Sequence, residues 1–139
     1  MGKVAVVYWT GSGNTGAMAD AIAEGVRATG NEAELFEASG FDASMVEGFD
    51  GFAFGCPAMG AEELEGADFE PMFEECVDEL GDKPVVLFGS YGWGDGEWMV
   101  SWKEDCEADD LNIIDTLIVN DAPDDEGVEL CQKLGKSIL

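Results

Sequence analysis

The sequence predicts an α/β protein built on a five-stranded parallel sheet with helices on both faces. Three observations carry this. The central strand candidates are short apolar runs without polar alternation, as expected of strands buried on both sides. Segments with apolar residues three and four apart alternate with those runs, and Gly-rich turns follow several of the run ends.

Val4 to Trp9 is a continuous β-branched and aromatic run and reads as the first strand. From Asn14 the period changes: Ala17, Met18, Ala21, Ile22, Gly25 and Val26 define a helix, and Gly30 closes it as a C-terminal stop. Glu32 to Ala38 alternates acids with Ala33, Leu35 and Phe36 and reads as a shorter edge strand. Phe49 to Gly55 is a third strand with Phe52, Ala53 and Phe54 at its centre, and a short helix near Ala43 to Glu47 precedes it. A very acidic helix over Asp68 to Leu80 leads to a fourth strand, Pro84 to Gly89. Helices over Glu97 to Asp109 and Asp124 to Ile138 flank a fifth, Leu111 to Val119. In such sheets ligands sit beyond the carboxyl ends of the strands, which directs attention to the loops after strands one, three, four and five.

The length of 139 residues suits one domain, 1–139, with a sizeable core. Thirty-one Asp and Glu against six Lys and Arg leave a formal charge of −25, which repels nucleic-acid backbones and anionic membrane surfaces. Hydrophobic residues at 46% and four Trp argue for a folded chain in spite of that charge. Histidine is absent, so nucleophile–His pairs and His-metal sites are excluded, and no catalytic or metal-binding residues are assigned. Cys56, Cys76, Cys106 and Cys131 form no CxxC pair and are expected to be buried free thiols. The early apolar run is too short for a signal core or a membrane span, and the sixth residue, Val6, does not fit a myristoylation motif. A cytoplasmic protein is expected.

Thr10-Gly11-Ser12-Gly13-Asn14-Thr15 joins a buried strand to a helix N-terminus and is suited to wrapping an anion. Free helical amides, close-approach glycines and hydroxyl donors converge there. No Lys follows the glycines, so GxxxxGK[ST] is absent and one phosphate fits better than a triphosphate. The same six residues would also serve as a tight turn with a capped helix. The second loop is Cys56-Pro57-Ala58-Met59-Gly60-Ala61-Glu62, and the third is Ser90-Tyr91-Gly92-Trp93-Gly94-Asp95-Gly96. Trp93 between two glycines suits a stacking platform for a planar ring, whereas Trp98 and Trp102, at helical spacing, read as core.

At this point the chain resembles the flavodoxins, in particular the short-chain type of anaerobic bacteria, over essentially its whole length. Val6-Val7-Tyr8, Thr10, Gly13, Thr15, Ala19 and Ile22 stand in the spacing of that family's amino-terminal signature. Cys56 to Gly60 and Phe88 to Gly94 look like its other two cofactor loops. The fifth strand candidate carries no long insertion. The resemblance implies a flavodoxin-like strand order, 2-1-3-4-5, and noncovalent FMN with its phosphate on Thr10 to Thr15. It further implies that Met59 and Trp93 flank the ring, that the Gly60 peptide faces flavin N5 and that Glu62 holds the N3 edge. Pro57, Ala58, Gly94, Ser90, Tyr91 and Gly92 complete the two ring loops. Asn120 is assigned on position alone. Ala61 departs from the Asp, Asn or Gly that relatives commonly carry, in a turn that the resemblance implies changes shape on reduction.

The function implied is a low-potential electron carrier that shuttles single electrons between redox proteins. It needs no catalytic side chain, since the flavin carries the redox chemistry. Partners would be proteins with basic docking surfaces, such as oxidoreductases that also use ferredoxin, and the carrier itself would be a monomer. Residues 62–82, beside the predicted ring edge, hold ten acids and no Lys or Arg and as a cluster would steer such partners, Glu63, Glu65 and Asp68 among them. Singly, each acid also reads as part of a solvated or salt-adapted surface. A small FMN-dependent quinone reductase and a non-redox signalling module on the same fold are the alternatives.

Overall fold

Strands with no polar interruption can be buried on both faces, and the middle of the sheet is built from such strands. The computed structural model describes residues 2–11, 13–59, 64–92 and 96–139. It contains β1 (Lys3–Tyr8), α1 (Asn14–Ala28), β2 (Glu32–Glu37), β3 (Gly51–Gly55), α2 (Phe69–Leu80), β4 (Pro84–Tyr91), α3 (Glu97–Ala108), β5 (Asn112–Asn120) and α4 (Asp125–Ser137). The five strands form one sheet in the order β2-β1-β3-β4-β5. Every pairing is parallel, as the resemblance implies. The segment expected to be a helix near Ala43 is instead two 3-10 stretches, Ala38–Gly40 and Ala43–Gly48. Asp42 caps the second by accepting from the Ser44 amide, and Gly48 ends it within two turns.

Period-two alternation sorts each strand between two cores. Val4 and Val6 of β1, Ala53 of β3 and Val86 and Phe88 of β4 face α1 and α4. Ala5, Val7, Phe52, Phe54, Val85 and Leu87 face α2, α3 and the 3-10 segment. On that second face Phe54 meets Phe73 edge-on at 5.0 Å, and Trp102 stands edge-on to both Phe69 and Phe73 at 5.4 Å. Trp98 and Trp102 are buried, as their spacing predicts. All four cysteines are free and buried, and burial pushes the Cys76 and Cys106 thiols up to about 12 and Cys131 to about 11.

The outer strands are built differently. β2 exposes Glu32, Glu34 and Glu37. β5 contains a bulge: Val85 pairs with Ile113 and Val86 with Asp115, so Ile114 is an extra, unpaired residue.

On the α1/α4 face the helices touch through backbone. A Cβ at Gly25 would lie 2.0 Å from the Gln132 carbonyl oxygen, and one at Gly135 would lie 2.1 Å from that of Ile22. Both clashes are against main chain, which cannot rotate aside. Gly135→Ala is therefore expected to destabilise the protein by roughly 1–3 kcal/mol, the usual cost of overpacking. Chemical denaturation checks this, and a variant as stable as the wild type would contradict the close approach.

Candidate functional site

Four chain segments leave the carboxyl edge of the sheet, and short hydrogen bonds tie each to the next. The Trp9 amide donates to the Gly55 carbonyl at 3.0 Å, joining the first loop to the end of β3. The Ala58 amide donates to the Ser90 carbonyl at 3.1 Å, joining the second loop to the third. The buried Thr15 hydroxyl, at the start of α1, accepts from the Ser90 amide at 3.3 Å. The Asp121 amide, just past β5, donates to the Tyr91 carbonyl at 2.8 Å. Between them lies one open cavity of about 450 Å³, within the range of small-molecule sites.

The first loop contributes Thr10, Gly11, Asn14 and Thr15 to this cavity, the second Pro57, Ala58 and Met59, and the third Ser90, Tyr91 and Gly92. Gly13 does not line it but sets its shape. With φ of 96° it takes the left-handed conformation that favours glycine, and it stands at the N-cap of α1 without a side-chain cap. The Thr10 hydroxyl accepts from the Gly13 amide at 3.1 Å and the Gly16 amide at 3.3 Å, folding the loop over the helix end. Ser12, Gly60, Ala61, Glu62, Trp93 and Gly94 lie outside the described residues, so the expectations placed on them, including the Ala61 turn, lie outside them too.

Electrostatics distinguish α1. In a chain with 31 acids, α2, α3 and α4 each carry an acid in the first turn, and α4 is also capped by Asp124. The first turn of α1 holds none. Its positive end is thus not neutralised by a carboxylate of its own first turn, facing a cavity edged with hydroxyls.

Asn120 is exposed, and its side-chain amide donates to the Tyr91 carbonyl at 3.3 Å. Asp121 lines the cavity, in the left-handed region with φ of 57° that Asp tolerates, together with Trp9. Both were missed, although each is the first residue beyond its strand, the position from which a side chain reaches such a cleft. Glu65, read as a docking acid, is buried. Its carboxylate accepts from the amides of Ala67, Asp68 and Phe69 at 2.9, 2.8 and 2.9 Å and so holds the start of α2. Burial alone pushes this carboxyl up, but the three amide donors outweigh it and hold it below the ordinary value.

A doubly wound sheet with an acid-free helix end and three backbone-rich loops around one cleft defines the class of α/β proteins that seat a phosphate-bearing cofactor at the carboxyl edge of the sheet. The flavodoxin family model matches residues 6–135. Flavodoxin of Megasphaera elsdenii is 44% identical over 134 residues, 96% of each chain, and that of Clostridium beijerinckii 40% over the same span. The solution structure of two-electron-reduced Megasphaera elsdenii flavodoxin aligns with a TM-score of 0.89 at 45% identity, covering 96% of each chain. The chain belongs to the flavodoxin family, FMN-binding electron carriers. The cavity lining fits that cofactor, combining amides and hydroxyls suited to a phosphate with Met59, Tyr91 and glycine backbone suited to a planar ring. A Cβ at Gly11 would press against the Trp9 ring at 3.2 Å.

The lowered Glu65 carboxyl gives a pH signature. Above the ordinary value of 4.5 the group is ionised in folded and unfolded chains, and its full contribution is present. That contribution disappears as pH falls through the lower folded value. The stability difference between wild type and Glu65→Gln, measured by urea unfolding, should be roughly 1–3 kcal/mol at neutral pH, constant down to about pH 5, and smaller below. A difference independent of pH would contradict the three amide bonds.

Proposed function

We propose that this flavodoxin is a low-potential carrier of single electrons, with FMN seated in the cavity shared by the three loops. The observation that carries the reading is the acid-free start of α1, open to that cavity in an otherwise strongly acidic protein. Amides and hydroxyls of Thr10, Gly11, Ser12, Gly13, Asn14 and Thr15 would hold the phosphate. Pro57, Ala58, Met59, Gly60, Ala61 and Glu62 on one side, and Ser90, Tyr91, Gly92, Trp93 and Gly94 on the other, would enclose the ring, Met59 and Trp93 against its faces. Asn120 and Asp121 would close the cleft beyond β5.

FMN, when bound, supplies the redox chemistry, and the protein is a carrier rather than an enzyme. The residues supply orientation and field. Neutral donors balance the phosphate while the surrounding surface stays at −25, which disfavours adding negative charge and keeps the potential low. On α2, Glu70, Glu74, Glu75, Asp78 and Glu79 are exposed, and with Asp68 they present an acidic face to basic surfaces of redox partners, such as oxidoreductases that also accept ferredoxin. No described helix is long and apolar enough to cross a membrane.

Titration of the protein with FMN, followed by anaerobic spectroelectrochemistry, tests the reading. One FMN per chain is expected, with two separate one-electron steps, the lower below that of free FMN. Absence of binding, or a single two-electron step, would reject it. Trp93→Ala should weaken FMN binding by roughly 0.5–1.5 kcal/mol beyond the lost contact area, read by fluorescence titration. Electron transfer to a basic partner should slow steeply between about 0.1 M and 1 M salt, as the screening length falls from about 10 Å to 3 Å. The combined change Asp68→Asn, Glu70→Gln and Glu74→Gln should reduce both the stopped-flow rate and its salt slope. A slope equal to that of wild type would leave these acids without a docking role.

A further inference from the structure

The chain leaves β3 at Cys56 and enters α2 through Glu65, and these two residues are bonded to each other. The Glu65 amide donates to Cys56 Sγ at 3.3 Å, and the thiol in turn donates to the Pro57 carbonyl at 3.5 Å. Every polar group of Cys56 is engaged: its amide donates to the Phe88 carbonyl at 3.1 Å, and its carbonyl accepts from Trp98 Nε1 at 3.1 Å. Glu65 is as fully used. Its carboxylate takes the three amides that open α2, and its carbonyl accepts from the Glu70 amide at 2.9 Å. A carboxylate bonded to three amides inside the protein is stronger than neutral hydrogen bonding would be. The thiol is kept protonated, and so able to donate: burial, against the pull of the Glu65 amide, pushes it up to about 12, with the Glu65 and Glu70 charges adding to the rise.

We propose that Cys56 and Glu65 form a clasp that positions Pro57, Ala58 and Met59, the described start of the second cofactor loop, for FMN. The clasp ties that start, held against β4 and α3, to Glu65 at the entry of α2, so the cost of bringing these two points together is met on folding and not on cofactor binding. Neither residue touches the cofactor in this account; both are positioning residues. The proposal rests on FMN occupying the cavity of the three loops.

The test compares the full-length wild type with Glu65→Gln, Cys56→Ala and Cys56→Ser. Each is measured for FMN dissociation constant, for the midpoint potentials of the bound flavin, and for thermal stability. Glu65→Gln and Cys56→Ala are expected to bind FMN at least fivefold more weakly. Their first midpoint potential should move by the equivalent of a threefold or larger change in relative affinity, about 28 mV at 59 mV per tenfold. Cys56→Ser, whose hydroxyl also accepts and donates, should recover most of the binding. The double variant Glu65→Gln, Cys56→Ala should lose less than the product of the single losses. Folded variants that keep wild-type affinity and potentials, even with lowered thermal stability, would overturn the clasp. If Glu65→Gln does not fold, the Cys56→Ala and Cys56→Ser pair decides by the same readouts. Failure of the wild type itself to bind FMN would instead reject the functional reading on which the clasp rests.

Discussion

The main chain of β3 and that of β4 come together at Gly55–Cys56 and Phe88–Gly89 with no room for side chains between them. A Cβ at Gly89 would lie 2.2 Å from the Cys56 carbonyl oxygen, and one at Gly55 would lie 2.2 Å from the Phe88 ring. Such contacts leave no cheap adjustment, because backbone and a packed ring are what they meet. The two loops that follow these strands therefore start from a single rigid junction. The Ala58–Ser90 bond extends it outward, Trp98 Nε1 locks α3 onto it, and the Thr15 hydroxyl brings α1 to the same place. The cavity is the space left over when four strand ends are held this closely but their loops turn apart.

Charge is distributed around that junction unevenly. Three of the six cations lie on carbonyls and rings. Arg27 donates to the Ala33 carbonyl at 2.9 Å, Lys83 to those of Val46 and Phe49 at 3.1 and 2.8 Å, and Lys3 lies over the Phe49 ring. They brace the edges of the sheet and leave the acidic exterior uncompensated. Against that background an acid-free helix end is a local reversal of sign, and local sign governs where an anion settles more than total charge does.

The apolar runs and the Gly-rich first loop were readable because each depends on neighbours in sequence. Burial on both faces leaves an uninterrupted run, and a helix entered from a glycine turn leaves its hydroxyls and amides in one short segment. What the sequence hid depends on tertiary geometry. β5 begins and ends one residue later than its apolar pattern suggests, and it contains the extra residue Ile114, which shows only in its pairing with β4. Asp121, which lines the cleft, stands just past that later end. Glu65 sits in a run of acids indistinguishable from it by composition. Only the turn over Ala67 and Asp68, which brings three amides round to one carboxylate, separates it from the exposed members. A carboxylate three to four residues ahead of a helix start is the sequence signal that could have found it.

The two outer strands bear on how this protein behaves in a crowd. A parallel sheet with open edges offers unpaired amides and carbonyls to any neighbouring chain, including its own copies. Here one margin presents the exposed carboxylates of Glu32, Glu34 and Glu37, and the other breaks its ladder at Ile114 and follows it with Asp115. Two such margins meeting would set like charges face to face or bring a kinked ladder against a straight one. An electron carrier has to be abundant, diffuse freely and collide often without sticking. Margins of this kind disfavour extension of the sheet by a second chain, which is the property a carrier that must collide often without sticking would need.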